Sequence, residues 1–232
     1  MQRFVINNVP KYGKKDICIK ILILYEYQQH IMKIYPKSQN GKDKIAKLID
    51  ASIKIIADKG FSGTSIGDIT REAGVSYGLF YVYFKNKNDL LDELIKKFNH
   101  ELRAYLKTET EHINNRIDME KKGFEAFFTW VNQNSLFFKI LMEAQVHRPK
   151  IYEWHYNTLA MKYSMGLEKA MQDKQIVTID PEILSYSFMG MCDFIARKYI
   201  LWENREIDKY QMSQINKILE LILTPTLQKL SK

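Results

Sequence analysis

Three tyrosine hydroxyls are concentrated in one short segment, YGLFYVYF, beside two phenylalanines. A phenolic O–H can donate a hydrogen bond to a phosphate oxygen while its ring packs against sugar or backbone, so Tyr77, Tyr81 and Tyr83 are candidate contacts to a nucleic acid. Phe80 and Phe84 lie four residues apart and have no polar atom. On a helix they share one face, which predicts that they pack inside the protein. The alternative for the tyrosines is an ordinary amphipathic surface.

The residues around this segment predict two short helices joined by a tight turn. Ser65 precedes Asp68 by three residues, the spacing of a capping box at a helix start. Gly74 lies where the first short helix must end, and Ser76 can cap the second. Two short helices joined at a glycine form a helix-turn-helix, here residues 65–84, whose second helix can enter a DNA groove.

Longer amphipathic helices are predicted on either side of the helix-turn-helix. Isoleucine and leucine recur at helical spacing from Lys42 to Asp58, and Gly60 stands where a left-handed cap is expected. Apolar residues from Leu90 to Leu106 predict a long fourth helix that leads into the rest of the chain. The helix-turn-helix therefore sits within a larger helical unit.

The net charge of +8 is distributed unevenly along the chain. Residues 1–40 contain seven basic and two acidic residues, residues 41–107 contain twelve and nine, and residues 108–232 contain sixteen of each. The whole excess lies in the N-terminal half, with +5 in residues 1–40 and +3 in residues 41–107, as expected when one end of a protein faces a polyanion. A lysine-rich surface that serves only solubility is the alternative.

The segment GFSGTSIGDITREAGVSYGLFYVYFKNKNDLL resembles the DNA-binding domain of the TetR family of transcriptional regulators. The resemblance is carried by Gly60, Thr64, Ile69, Ala73, Gly74, Val75, Ser76, Gly78, Phe80, Tyr81, Tyr83, Phe84, Lys87 and Leu90. It implies an all-α protein with an N-terminal three-helix helix-turn-helix domain and a larger helical ligand-binding and dimerisation domain. We therefore expect a DNA-binding domain over residues 42–102 and an effector-binding and dimerisation domain over residues 103–232, preceded by an extension of residues 1–41.

The resemblance also implies which residues contact DNA. The implied contacts are Thr64, Ser65, Ser76, Tyr77, Gly78, Leu79, Tyr81, Tyr83 and Lys87. Gly78 would let the helix backbone approach the major groove closely. Leu79 departs from the family pattern, in which a small or hydroxylated residue is common. It loses a phosphate contact but can touch a thymine methyl group.

The C-terminal part is rich in methionine and aromatic residues. Such side chains suit a flexible apolar ligand, although the same residues also fill solid cores. Since the resemblance implies a pocket here, the candidate ligand-binding residues are Phe127, Trp130, Phe138, Met142, Trp154, Met165, Phe188 and Cys192. This lining favours a small apolar or acyl-bearing effector.

Five further helices are predicted after a break at EKKG, Glu120 to Gly123. They lie near residues 124–134, 135–145, 149–172, 180–205 and 208–230. The last two carry more apolar surface than one face of a monomer requires. This predicts a homodimer with a four-helix interface, as is usual in the family, and two recognition helices for a palindromic site on double-stranded DNA.

Other classes of function lack their characteristic residue patterns. The chain has no nucleophile elbow, phosphate-binding loop or dinucleotide fingerprint, so we expect neither enzyme activity nor a cofactor. Cys18 and Cys192 match no metal-ligand spacing, which predicts a reduced cytoplasmic protein without a metal. The longest apolar run is shorter than the ~20 residues that span a bilayer, so no membrane segment is expected. A helical protein–protein adaptor is the main alternative.

The segment upstream of Met32 has two interpretations. A short basic arm that begins at Met32 resembles a complete N-terminus, so the preceding residues are either a translated leader or a genuine extension. A genuine extension would form an additional helix or strand, or an arm whose lysines reach the minor groove.

Overall fold

A computed structural model describes residues 38–224 of the 232-residue chain. Within this range the chain forms nine α-helices and no strand, which confirms the predicted all-α fold. The helices are α1 Gln39–Gly63, α2 Ile66–Glu72, α3 Tyr77–Tyr83, α4 Lys87–Thr110, α5 Arg116–Gln133, α6 Phe137–His147, α7 Pro149–Gln172, α8 Pro181–Ala196 and α9 Lys209–Leu223, with a π-helical turn at Arg197–Trp202 after α8. Most of the predicted extension, residues 1–41, lies outside the described residues. Met32, the alternative start of the chain, lies outside them as well.

Helix α1 has the apolar face that its sequence predicts. Its buried residues include Ile45, Leu48, Ile49 and Ile56. Ser38 is the N-cap of the helix, and its side-chain oxygen accepts a hydrogen bond from the Gly41 amide. Gly60 adopts φ of +74°, a region that glycine enters without steric cost, so the chain bends there before the last turn of the helix.

The capping box and the turn of the helix-turn-helix are both present. Ser65 Oγ accepts a hydrogen bond from the Asp68 amide at 3.1 Å, and the Asp68 carboxylate accepts one from the Ser65 amide at 3.2 Å. The following turn contains Gly74 at φ of +65°. These local interactions place α2 and α3 as the sequence predicts.

Helix α4 connects the helix-turn-helix to the rest of the protein. Its buried side consists mainly of Leu90, Leu91, Leu94, Ile95, Phe98 and Leu102. The helix packs against α5, α6 and α7, and it continues without interruption through the predicted domain boundary after residue 102. The two parts of the chain are therefore joined by a rigid element.

Two of the predicted C-terminal helices, near residues 149–172 and 180–205, begin where the sequence predicts. The predicted helix over residues 149–172 coincides with α7. At the start of α8, the Asp180 carboxylate accepts hydrogen bonds from the amides of Glu182 and Ile183 at 2.9 and 3.0 Å. Helix α9 ends at Leu223, and the rest of the helix predicted to residue 230 lies almost wholly beyond the described residues.

The predicted break at residues 120–123 is wrong, because α5 passes through this segment without interruption. The chain breaks earlier, between α4 and α5. Glu120 is buried, with Arg116 Nε donating to its Oε1 at 2.6 Å and the Tyr163 hydroxyl donating to its Oε2. Burial raises the pKa of Glu120. The charged segment at residues 120–123 is predicted as a break from its local sequence alone. Tyr163, the partner of Glu120, lies 43 residues away on α7 and gives no local signal.

Aromatic rings fill the interior between the C-terminal helices. The Phe98 ring centroid lies 6.2 Å from that of Trp130 and 5.4 Å from that of Phe137. On the other side of α5, Phe124 and Phe188 are 5.7 Å apart. Near-perpendicular ring pairs of this kind each contribute about 0.5–1.5 kcal/mol beyond their area burial. They hold α4, α5, α6 and α8 together.

A buried histidine links α4 to α7. Asn99 Nδ2 lies 3.2 Å from His155 Nδ1 and donates to the His155 carbonyl at 3.1 Å. Burial, together with the charge of Arg103, lowers the pKa of His155 to about 3. The ring is therefore neutral in the folded protein at any physiological pH.

We expect the free energy of unfolding to decrease as the pH is lowered, because His155 is buried in its neutral form. The unfolded chain takes up a proton near the ordinary pKa of about 6.5, whereas the folded chain does so only near about 3. The contribution of the neutral His155 ring to the free energy of unfolding is complete above the pKa of histidine in the unfolded chain. It is lost as the pH falls below that value. Between about pH 7 and pH 5 the loss is about 2 kcal/mol. Urea unfolding of the native protein and of His155→Gln at several pH values measures this loss, as the difference between the two slopes of unfolding free energy against pH. Equal slopes would contradict the assignment.

Candidate nucleic-acid interface

The inner face of α3 fixes the orientation of the recognition segment. Phe80 and Phe84 are buried, and their ring centroids lie 5.4 Å apart. They share one hydrophobic core with Ile69 of α2 and the apolar face of α1, as the sequence predicts. Burying each phenylalanine contributes about 1.5–3 kcal/mol, so the rotation of α3 about its axis is strongly determined.

The outer face of α3 is exposed and continuous. Tyr77 and Tyr81 are 56% and 49% exposed, with their hydroxyl oxygens 3.3 Å apart and their rings edge to face. Between them Gly78 is open, since a Cβ atom there would meet nothing within 4 Å. Val82 completes the face at 71% exposure. Sequence reasoning missed Val82, although its position four residues after Gly78 on the same helix was a usable signal.

Tyr83 and Leu79 lie at the edges of this face. Both are half-buried and pack against the core. The Tyr83 hydroxyl donates to the Gly41 carbonyl at 3.4 Å, which connects α3 to the first turn of α1. Of the three candidate tyrosines, two therefore face outward and the third faces α1.

Thr64 and Lys87 have their polar groups directed into the protein. Thr64 is 2% exposed, and its hydroxyl donates to the Gly60 carbonyl at 2.7 Å. Lys87 Nζ donates to the carbonyls of Phe61 and Thr64 at 2.6 and 2.7 Å and lies 4.4 Å above the Phe61 ring. These contacts hold the end of α1 against the start of α4. The role that they indicate is to position the helix-turn-helix.

The two candidate serines are exposed but differ in their bonding. The Ser65 hydroxyl takes part in the capping box, donating to Asp68 Oδ2 at 2.7 Å. Ser76 occupies the N-cap position of α3 without a side-chain capping hydrogen bond, which corrects the expectation that it caps this helix. Its hydroxyl is exposed beside Tyr77 at the start of the outer face.

Exposed lysines lie on the segments next to α3. Lys42 and Lys44 lie on the first turns of α1, which the Tyr83 contact brings next to α3, and Lys85 directly follows α3. By contrast, Lys54 of α1 forms a 2.5 Å ion pair with Glu72. Lysines near an aromatic face of this kind attract the phosphates of a nucleic acid.

The predicted ligand-binding residues differ widely in their exposure to solvent. Buried members are Phe127, Trp130, Phe138, Phe188 and Cys192. Trp154 is half-buried, whereas Met142 and Met165 are 45% and 65% exposed on the surfaces of α6 and α7. The methionine-rich sequence predicts either a pocket or a solid core, whereas tertiary packing places these two methionines on the surface. A groove of about 380 Å³ lies between α7 and α8 and is lined by none of the eight.

Residues 38–224 contain neither a cluster of metal-ligating side chains nor a membrane-spanning helix. No group of three or more histidine, cysteine, aspartate or glutamate side chains there is arranged to hold a metal ion. None of the helices in that range has both the length and the apolar character that crossing a bilayer requires.

Comparison with known proteins identifies relatives of the helix-turn-helix. Residues 48–94 match the sequence pattern of the bacterial regulatory proteins, tetR family. The Transposon Tn10 TetC protein of Escherichia coli is 27% identical over 165 residues, which cover 69% of this chain and 82% of TetC. The fatty acid metabolism regulator protein of Bacillus subtilis (strain 168) is 39% identical over 56 residues, only 24% of this chain and 29% of that protein.

The fold of the whole described chain is also shared. The crystal structure of the transcriptional regulator FadR from Bacillus subtilis in complex with stearoyl-CoA has a TM-score of 0.64 and 18% identity. The match covers 78% of this chain and 98% of FadR. The C-terminal helices therefore adopt an arrangement known from regulators of this type, at an identity that shows the fold alone.

Replacing Lys87 tests whether it positions the helix-turn-helix. Lys87→Met retains most of the aliphatic stem but loses both hydrogen bonds to carbonyls, and we expect it to cost about 1.5–3 kcal/mol of unfolding free energy. Lys85→Met removes an exposed lysine two residues away and serves as the control, with an expected change within about 0.5 kcal/mol. Urea unfolding compares the two. An unchanged stability in Lys87→Met would contradict the structural role of this lysine.

Proposed function

Since residues 48–94 make this chain a member of the tetR family of bacterial regulatory proteins, we propose that it is a ligand-responsive transcriptional repressor. It binds a palindromic operator as a homodimer and is released by a small, largely apolar effector. The observation that carries the proposal is the outer face of α3, where Tyr77, Gly78, Tyr81 and Val82 are exposed while Phe80 and Phe84 hold the helix in place. An outer face of tyrosine, glycine and valine beside lysines is suited to a DNA groove.

The residues of this face divide into two roles in the proposal. Hydroxyls of Ser76, Tyr77 and Tyr81 donate to phosphate oxygens and set the register on the duplex. Gly78 permits close approach, while Leu79 and Val82 present apolar groups to thymine methyls in the major groove. Ser65, at the N-terminus of α2, is also proposed to contact the DNA. Thr64, Tyr83 and Lys87 support this face from behind, through the contacts described above.

The proposed dimer interface is the exposed apolar surface of α8 and α9. On α9, Ile215, Leu219 and Leu223 are buried against their own chain. The exposed apolar residues of the two helices are Ile183, Tyr186, Phe194, Tyr210, Ile218 and Leu221. A second copy that covers this surface would remove it from water and place two α3 helices on one duplex.

The corner between α6 and α7 supplies a mechanical connection for the proposed response. Arg148, at this corner, forms a bidentate ion pair with Asp92 of α4, with N–O distances of 2.7 and 2.5 Å. The adjacent His147 ring lies 4.9 Å from that of Phe61 at the end of α1. A shift of α7 on effector binding would therefore move α4 and the helix-turn-helix together. Typical coupling free energies for such responses are about 1–3 kcal/mol.

Two features support a lipid-like or apolar effector and a cytoplasmic, non-enzymatic role. The FadR structure named above contains stearoyl-CoA, which supports an acyl-bearing ligand as one form of the apolar effector.

The relatives are regulators, and DNA binding requires access to the chromosome, so we propose that the chain acts in the cytoplasm without catalysing a reaction.

Selection of genomic fragments by the purified protein tests the proposed function. The selection is made with nonspecific competitor DNA at near-physiological salt, and the selected fragments are footprinted. A protected palindrome supports the repressor. Weak binding that salt abolishes, without a protected site, would contradict it and favour the adaptor.

Substitutions on α3 test the two proposed roles against each other. Tyr81→Phe keeps the ring but loses the phosphate hydrogen bond, so we expect affinity to fall about two- to tenfold on every operator sequence. Val82→Ala removes an apolar contact and should weaken only sites with thymine opposite it. Affinities for a set of single-base operator variants, measured by fluorescence anisotropy, separate a uniform loss from a change in preference. Uniform losses in both variants would refute the assigned roles.

A charge placed on α9 tests the proposed dimer interface. Leu221→Glu introduces a carboxylate into the exposed apolar surface, and we expect a monomer with at least about a tenfold loss of operator affinity. Lys209→Glu is the control, because it lies about 120° around the same helix from Leu221. Sedimentation velocity gives the oligomeric state. A dimeric Leu221→Glu protein would place the interface elsewhere.

A further inference from the structure

Hydroxyls are the only polar side-chain groups on α3 and its two caps. They belong to Ser76, Tyr77, Tyr81 and Tyr83, and the other residues of this segment have no polar side-chain atom. Arginine, lysine, asparagine and glutamine, which read guanine or adenine through paired hydrogen bonds, are absent from it. A hydroxyl both donates and accepts, so it bonds to the O4 acceptor of thymine as well as to the N4 donor of cytosine. The side chains of α3 therefore do not distinguish these two bases by hydrogen bonding.

The basic residues near this segment do not add a base reader to the outer face of α3. Lys87 Nζ is held by two backbone carbonyls, at 2.6 and 2.7 Å. Lys85 lies beyond Phe84, where the backbone is extended and no longer follows the helix. Arg71 lies on α2, the helix that crosses the DNA backbone in this motif, and its Nη1 is 3.4 Å from Asp68 Oδ1. These residues supply positive charge for phosphates.

Apolar groups are what the outer face of α3 offers to a base. Val82 is 71% exposed, which leaves its two methyl groups in water. Gly78 is an open position beside it, since Tyr81 and Val82 follow three and four residues later on the same helix. Leu79, at the edge of the face, is half-buried. A methyl group that projects from a base can therefore reach the helix backbone at Gly78 and pack against valine and a tyrosine ring.

We propose that this protein reads its operator through the C5-methyl groups of pyrimidines, so that 5-methylcytosine is accepted in place of thymine. Thymine carries this methyl group in the major groove, and 5-methylcytosine carries the same group at the same position. Unmethylated cytosine lacks it and is rejected. Since no side chain of α3 separates thymine from cytosine by hydrogen bonding, the methyl group is the feature that remains to be recognised.

This inference has a consequence for regulation. It rests on the proposed function, because it concerns the DNA that α3 enters, and it adds the chemical group that selects that DNA. Methylation of cytosine at C5 inside a half-site creates the contact that cytosine lacks. Occupancy of such a site therefore depends on a covalent mark on the DNA as well as on its sequence.

Replacing thymine with uracil removes the methyl group and leaves every hydrogen-bonding group in place. Duplexes of the footprinted operator are made with one thymine at a time replaced by uracil, and their affinities for the full-length protein are measured by fluorescence anisotropy. We expect a loss of about three- to fivefold at each thymine that faces α3, the value of one buried methyl group. Thymines outside the protected region are the control and should show no loss. Equal affinity for uracil at every position would overturn the proposal.

Cytosine and 5-methylcytosine at the same positions separate methyl recognition from hydrogen bonding. Each sensitive thymine–adenine pair is replaced by cytosine–guanine and by 5-methylcytosine–guanine. We expect cytosine to bind about as weakly as uracil, and 5-methylcytosine to return the affinity to within about twofold of thymine. If 5-methylcytosine binds no better than cytosine, hydrogen bonds to the thymine–adenine pair carry the selection, and the proposal is wrong.

Substitution of Val82 assigns the methyl contact to α3. Val82→Ala should lower the thymine-to-uracil affinity ratio to about one at one position of each half-site and leave it unchanged elsewhere. Tyr81→Phe is the matched control, because it loses a phosphate contact and should keep every ratio. Val82 is exposed, so its replacement should leave folding intact, which thermal unfolding checks. Unchanged ratios in Val82→Ala would contradict its role as a reader.

The outcomes for this inference and for the proposed function are distinct. A protected palindrome whose thymines can all be replaced by uracil would refute the methyl readout and leave the repressor intact. Failure to protect any DNA site would contradict both.

Discussion

The structure depends on burial of the apolar face of α4. One hydrophobic core extends from Ile45 in α1, through Leu90, Leu94 and Phe98 in α4, to Leu219 in α9. Removing a side chain of this kind typically costs several kcal/mol, on the order of 2–5. Because the same core contacts the helix-turn-helix and the C-terminal helices, neither part can rotate freely about the other. The outer face of α3 is the side of that helix that this core leaves exposed to solvent.

Polar groups inside the protein fasten the helices to one another where apolar packing alone is nonspecific. Lys87 joins the end of α1 to α4 through two backbone carbonyls, and Asn99 joins α4 to α7 through His155. Glu120 joins α5 to α7 through Tyr163. Each pair satisfies groups that would be costly to bury alone, so these contacts select one arrangement of the helices.

The proposed DNA-binding surface and the proposed effector response lie in different parts of the chain. The outer face of α3 is suited to phosphates and base edges, and the proposed response begins in the C-terminal helices. Between them lies the corner at Arg148, where the start of α7 is fastened to Asp92. This ion pair is partly exposed, with the Arg148 side chain at 37% relative accessibility, so it is a connection that can rearrange.

The sequence by itself determined the local structure, and the tertiary structure decided which side chains remain available. Helical periodicity, the Ser65 capping box and Gly74 predicted the helix-turn-helix, and the spacing of Phe80 and Phe84 predicted its inner face. All of these depend on residues within four positions of one another. The continuity of α5 depends instead on Glu120 meeting Tyr163, 43 residues away, and the inward direction of Lys87 depends on carbonyls 23 and 26 residues earlier. Residue types and local spacing carry no record of such pairings, because they form only when separate helices pack together.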